Sequence, residues 1–254
     1  MGDIVTALDI HIIALILAVA MLATWSIGRR MGERLLHKSG TKPSKFDDVS
    51  MALLSLQLAF SFGMSIAKHD QRRLAVVADS NAIGDFYTCA SLLKEPARMK
   101  LQAVIRQYVQ VRLYLARSAR RSSDLESALA KSSQLHTQMT EIVEHALTDG
   151  TPIAVSLTNT LNAVTSNQAS RLAAYRDRLP ASILYLLFAC SIVTVLLIGR
   201  EQGATTNSDI AGTLCFIFLV SIAVYVTLDL NLPEGGLIRV SQEPIERLLS
   251  SMPK

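Results

Sequence analysis

The chain has 254 residues, of which 50% are apolar and 18% are charged, and its formal net charge is +4. Soluble domains carry roughly 25% charged residues, so this composition argues against a small soluble enzyme, and the abundance of Leu, Ala, Ile and Val argues against a disordered chain. The excess of basic residues is typical of a membrane protein with basic flanks, and we expect no nucleic-acid partner.

Four uncharged stretches are long enough to cross a bilayer, which takes about 20 apolar residues. In chain order they cover residues 10–28, 49–67, 180–199 and 210–228. The first stretch is not typical of a signal peptide, because the residues before it include Asp3 and Asp9 and no Lys or Arg. The sequence therefore predicts a multi-pass membrane protein.

Residues 68–179, between the second and third spans, have a helical pattern nearly throughout. Ser123-Asp124-Leu125-Glu126 has the form of a capping box and predicts a helix start. Asp149-Gly150-Thr151-Pro152 predicts the end of that helix, with Gly150 in a left-handed conformation and Thr151 as the N-cap of the next. The predicted fold class is all-α, with a first transmembrane helix pair and basic loop (1–67), a helical extramembrane domain (68–179), a second transmembrane pair (180–228) and a C-terminal tail (229–254).

The second span carries the most informative pattern. No proline separates it from the following residues, so we expect one long helix that leaves the membrane without a break. Polar side chains in a bilayer must face protein or water. At about 100° per residue, seven polar residues fall on one stripe roughly 80° wide: Ser50, Gln57, Ser61, Ser65, Lys68, Arg72 and Asp79.

Two interpretations of this stripe stay open. Small and hydroxyl residues are common where membrane helices pack together. The alternative is a water-lined path that favours anions, with basic residues at its mouth, which would require a symmetric oligomer because one helix cannot enclose a pore. The candidate lining residues of such a path are Ser50, Gln57, Ser61, Met64, Ser65, Lys68 and Arg72.

The sequence contains no recognisable catalytic pattern. Nucleophile elbows, Gly-rich phosphate loops and H-E-x-x-H motifs are all missing from it. Glu141, Glu144 and His145, with His136 two turns earlier, have helical spacing, but a solvated helix face explains them better than a metal site. The three cysteines form no CxxC pair. We expect no enzymatic activity, no cofactor and no metal.

Several strings together resemble the bestrophin-like family of bacterial membrane proteins. They are SIAKHDQRR at 65–73, DSNAIG at 79–84, LDLNLP at 228–233 and GLIRVSQ at 236–242. The motif residues are Asp70, Gln71, Arg72, Arg73, Asp79, Asn81, Gly84, Asp229, Pro233, Arg239 and Ser241. Family members usually have Glu-Ala in place of Asp79-Ser80 and an acid in place of Asn231, so an ion-binding or subunit-clasping role of those acids is weakened here.

The resemblance implies a function as well as a fold. Bestrophins are homopentameric anion channels with four membrane helices and a helical domain, and their second membrane helix lines the pore. By analogy this chain forms a homo-oligomer, a pentamer, in the bacterial inner (plasma) membrane, with the lipid bilayer and small anions as its other partners. The rival hypothesis is a non-conducting sensor or scaffold whose helical domain binds a partner or ligand. A secondary transporter is a weaker alternative, because the spans lack matching proline breaks and a buried carboxylate pair.

The membrane orientation stays open. The loop after the first span carries Arg29, Arg30, Arg34, Lys38, Lys42 and Lys45. The positive-inside rule places this loop in the cytoplasm and the helical domain outside. A cytoplasmic helical domain is favoured by the likeness to bestrophins and by basic residues at both ends of the domain, namely Lys68, Arg72 and Arg73 at one end and Arg171, Arg176 and Arg178 at the other.

Overall fold

The computed structural model describes residues 10–39, 46–118, 122–205, 209–232 and 237–253. Within these ranges the regular secondary structure is entirely α-helical, which confirms the predicted all-α class. The helices are α1 (Ile10–Ser39), α2 (Phe46–Ser91), α3 (Ala97–Ser118), α4 (Ser122–Thr148), α5 (Ala154–Arg176), α6 (Ala181–Ala204), α7 (Ile210–Asn231) and α8 (Glu243–Ser251).

Four segments are long and apolar enough to cross a membrane: Ile10–Arg34, Asp48–Ser91, Ala154–Ala204 and Ile210–Asn231. Each contains one of the spans predicted from the sequence. The α2 helix is continuous over 46 residues, as the absence of proline predicts.

The chain folds into two compact units, and each has its own apolar core. The first unit comprises residues 1–69 and 178–238, and the second comprises residues 70–177 and 239–254. The boundary therefore falls inside α2, and the predicted tail is divided between the two units. Met21, Leu54, Leu187 and Val224 belong to the core of the first unit. Phe86, Ile105, Met139, Leu157 and Ile245 belong to the core of the second.

In the first unit, α1 and α6 pack backbone against backbone through four glycines. A Cβ atom added at Gly28 would overlap the carbonyl oxygen of Leu196 and lie 3.1 Å from Arg200 N. One added at Gly199 would overlap the carbonyl oxygen of Trp25 and lie 3.1 Å from Arg29 N. Gly32 and Gly203 are equally close to the facing backbone. Because the contacts advance together along both helices, α1 and α6 run parallel, and each carries the G-x-x-x-G spacing of closely packed membrane helices.

The turn between α4 and α5 bears out one local prediction and corrects another. Gly150 has a φ of +76°, which confirms its predicted left-handed conformation. Thr151 is not the N-cap, which is Ile153. The prediction was wrong because the chain first makes a turn, in which Ala154 N donates to Thr151 O at 3.3 Å, before the helix begins. The α4 helix begins at Ser122, and most side chains of the predicted capping box, Ser123 to Leu125, lie outside the described set.

The glycine contacts lead to a stability prediction. We expect Gly199→Ala to lower the free energy of unfolding by about 1–3 kcal/mol, because the added methyl group forces the two backbones apart. The matched control is Gly84→Ala in α2, where the nearest atom to the new Cβ is the flexible end of the Leu248 side chain at 3.4 Å. This control should leave stability unchanged or raise it by up to about 1 kcal/mol through helix propensity. Thermal unfolding of the purified protein in detergent measures both, and equal stability of the two variants would contradict the backbone contact.

Candidate functional site on the polar face of α2

Two serines of the polar stripe of α2 are buried by the protein's own chain in the first unit. Ser61 and Ser65 have no exposed surface. The Ser65 hydroxyl donates to the carbonyl oxygen of Thr227 at 3.1 Å, and the Ser61 hydroxyl donates to that of Gln57 at 2.6 Å. This is the arrangement expected from helix packing. Neither side chain can contact a solvent path unless the helices separate.

The remaining candidate lining residues of the first unit differ from these two serines. Ser50, Gln57 and Lys68 are half-buried. Thr194 of α6 donates to the carbonyl oxygen of Ser50 at 3.2 Å, so this end of α2 is also packed. Met64 lies on a different face and is 38% exposed.

The opposite face of α2 is exposed along the first unit. Its large side chains include Leu53, Leu56 and Phe60, which is 60% exposed. Beside them run Ala59, Gly63 and Ala67, which are exposed and spaced four residues apart. This face thus combines bulky apolar side chains with a row of small residues.

In the second unit, Arg72 is fully buried and completes the end of α5. Its Nε donates to the carbonyl oxygen of Ala174 at 3.2 Å, and its Nη2 donates to that of Asp177 at 3.0 Å. Carbonyl groups in the last turn of a helix lack intrahelical donors, and a cation there is favoured by the helix dipole. Arg72 therefore acts as a cap for α5, whereas one of the two interpretations of the stripe placed it at the mouth of an anion path.

Asp79 lies at the centre of a buried ionic cluster, the Asp79 cluster, formed with Arg112 and Arg171. Its Oδ2 accepts hydrogen bonds from Arg112 Nη2 and Arg171 Nη1, both at 2.7 Å. Arg171 Nη2 also donates to Gln242 Oε1 at 2.7 Å. The carboxylate thereby connects α2, α3 and α5 with the segment that precedes α8.

Each arginine of this cluster lies near a tyrosine ring. The Arg112 Cζ is 5.8 Å from the centre of the Tyr108 ring, and the Arg171 Cζ is 5.8 Å from that of Tyr175. Burial alone would lower the pKa of Arg112, but the Asp79 carboxylate reverses this and the net pKa is raised. Burial raises the pKa of Tyr108, whose hydroxyl donates to Gln168 Oε1 at 2.8 Å. Arg112 thus remains a cation and Tyr108 a neutral phenol near pH 7. Because neither group changes its charge there, we interpret the Asp79 cluster as a structural contact that holds the helices together.

Sequence reasoning missed the partners of Asp79, although a signal for them exists. Buried residues of α3 occur at Leu101, Ile105 and Tyr108, and Arg112 is the next position on the same face. Likewise Arg171 continues the face of α5 that begins with Leu157, Leu161 and Val164. A charged residue at a core position of an otherwise apolar face must have a buried partner.

Among the other motif residues, Asp229 and Ser241 bond to nearby backbone, as does Asn231 of the same string as Asp229. Both oxygens of the buried Asp229 accept backbone N–H groups at 2.9 Å, from Leu237 and Ile238. Asn231 Oδ1 accepts from Leu179 N at 2.7 Å, and Ser241 Oγ accepts from Glu243 N at 3.2 Å.

Most of the remaining motif residues are exposed. Gly84 lies beside Leu248, and Asp70 and Arg73 form an exposed pair at 3.7 Å. Three further motif residues are exposed: Gln71, Asn81 and Arg239. Pro233 lies outside the described residues.

The histidine and glutamate residues considered as metal ligands are not brought together. Glu141, Glu144 and His145 are exposed on α4. His136 instead faces α5, where its Nε2 lies 2.8 Å from Thr165 Oγ1. Burial lowers the pKa of His136.

Comparison with known proteins gives one match. A protein-family model described as "Bestrophin-like domain" matches residues 14–245, which include α2 and the Asp79 cluster. No curated protein and no solved structure matches the chain. The match agrees with the resemblance drawn from the motif strings, and together with the four candidate spans it identifies a membrane protein.

The Asp79 cluster leads to a second stability prediction. We expect Asp79→Asn to lower the free energy of unfolding by about 3–5 kcal/mol, because two buried guanidinium groups lose their counterion. Asp70→Asn is the matched control on the same helix, where an exposed ion pair is worth about 1 kcal/mol or less. Denaturant unfolding followed by circular dichroism compares the two variants. A similarly small loss of unfolding free energy in both would contradict a stabilising role of the Asp79 cluster.

His136 gives a pH prediction. Its folded-state pKa lies below the unfolded value, so the unfolded state binds more protons, and stability falls as the pH drops through about 6.5. His136→Gln should flatten the dependence of the melting temperature on pH between about 7 and 5. His145→Gln, at an exposed site on the same helix, should keep the wild-type slope. An unchanged slope in His136→Gln would exclude this histidine as the source.

Proposed function

Because the chain belongs to the bestrophin-like family, we propose that it is a homo-oligomeric membrane channel that passes small anions along α2. We place it in the bacterial inner (plasma) membrane and take the oligomer to be a pentamer, by analogy with bestrophins. One observation carries the proposal, namely the exposed face of α2 described above.

The row of small residues on this face supports assembly with further copies of the chain. Ala59, Gly63 and Ala67 allow close approach of a neighbouring helix, since small residues at four-residue spacing are typical of membrane helix contacts. Among the described residues, none lies within 4 Å of a Cβ placed at Gly63, so packing against them does not explain the glycine. A ring of such helices around an axis would follow from a symmetric contact.

The proposed path follows the exposed face of α2. The buried part of the stripe does not line this path but packs α2 against the other helices of the first unit. Met64 remains a candidate lining residue, whereas Ser61 and Ser65 hold α2 against the other helices. Apolar side chains on such a face form a constriction that passes ions only when wetted.

This proposal is tested by electrical recording in planar bilayers under a chloride gradient. The wild type should give an anion-selective current, and Met64→Gln should change its unit conductance because a polar group enters the path. The matched control is Ser61→Ala, three residues away on the buried face, which should conduct like the wild type. A well-folded oligomer without current would refute conduction, and an effect confined to Ser61→Ala would refute the assigned face.

A specific observation favours the alternative, a non-conducting sensor or scaffold. Ser61 and Ser65 of the stripe are fully buried by their own chain, which is expected if the stripe serves only helix packing. The second unit has an open groove of about 530 Å³ between α2 and α8. Ser80 forms part of its wall and donates to the carbonyl oxygen of Pro244 at 2.9 Å, while Asn81 and Asp85 are exposed in it. Absence of current together with a bound ligand lost on Asn81→Lys would favour this function.

A further inference from the structure

We propose that the ends of α1 and α6 form a binding site for the headgroup of an anionic phospholipid. The site lies in the first unit, and it does not depend on whether the protein conducts. It rests on the parallel glycine contact of the two helices, on four arginines at one end of this helix pair, and on their depth in the membrane.

The glycine contact places Arg29 of α1 and Arg200 of α6 at the same level along the two helices. Gly28 faces the backbone of Arg200, and Gly199 faces the backbone of Arg29. Arg30 and Arg34 follow within the next two turns of α1. Because α1 and α6 are parallel, the four arginine side chains emerge at the same end of the helix pair.

The charges at this end are not balanced. Arg29 has a carboxylate partner, with its Nε 3.4 Å from Glu33 Oε1. Arg30, Arg34 and Arg200 are exposed, and none of them forms an ion pair with another described residue. Even with Glu33 and Glu201 counted, the four arginines leave an excess of positive charge. A guanidinium group can form paired hydrogen bonds to a phosphate, which is the anion present in phospholipid headgroups.

The depth of the cluster favours a lipid as the source of that phosphate. The uncharged run of α1 ends at Gly28, so the arginines begin where the hydrocarbon region ends. Trp25 precedes them by one turn, and its Nε1 donates to Gln202 Oε1 at 3.0 Å. Ile27 and Met31, which are 54% and 46% exposed, offer apolar surface for an acyl chain beside the charges.

Trp25 also supplies the readout, because it is the only tryptophan of the chain. The purified protein in detergent is titrated with phosphatidylglycerol, phosphatidylcholine or inorganic phosphate while tryptophan emission is followed. We expect a saturable change with phosphatidylglycerol and a much weaker response to the other two. Arg30→Gln/Arg34→Gln/Arg200→Gln should weaken phosphatidylglycerol binding roughly 100-fold, since each arginine near an anionic surface contributes a factor of about five.

The matched control replaces three exposed arginines of the second unit, Arg73, Arg98 and Arg247, with glutamine and should bind like the wild type. If the triple variant of the first unit fails to fold, Arg200→Gln alone should weaken binding by a factor of about five. Equal binding of phosphatidylcholine, or wild-type affinity in the arginine variant, would overturn the proposal. Displacement of phosphatidylglycerol by an equal concentration of inorganic phosphate would assign the site to free phosphate and also overturn it.

Discussion

A polar group removed from water must find a hydrogen-bond partner, and α2 meets this requirement with groups of its own chain. Ser65 bonds a carbonyl group of α7, Arg72 caps α5 and Asp79 binds two arginines. These partners fix which face of α2 each unit buries. The face left outside is apolar and rich in small residues along the first unit, so it is the face available to lipid or to another subunit.

The sequence predicts the helices well because their signals are local. Uncharged runs of the right length mark the spans, and the absence of proline predicts the continuous α2 helix. The periodicity of α2 also groups Ser61, Ser65 and Asp79 on one stripe, and all three are buried. Thr151 shows the limit of local reasoning, since its residue type suits an N-cap but the turn it makes delays the start of α5.

Which helix faces pack against each other is much harder to predict, because this depends on tertiary contacts. Nothing in the stripe itself says that Ser65 meets Thr227 or that Asp79 meets Arg171, which lie far apart in the sequence. The positions of Arg112 and Arg171 on apolar faces are a readable signal that a buried carboxylate exists, but they do not say which one. The paired G-x-x-x-G spacings of α1 and α6 are another readable signal of close packing.

The Asp79 cluster has a consequence for how this sequence can change over time. Loss of the carboxylate alone leaves two buried cations, and loss of one arginine still leaves a neutral pair, so the first change is costlier than the second. Exchange of all three residues for apolar ones of similar volume removes the buried charges together. Homologous sequences should therefore vary at positions 79, 112 and 171 as a coupled set, with an arginine lost before the carboxylate, whether aspartate or glutamate, at position 79.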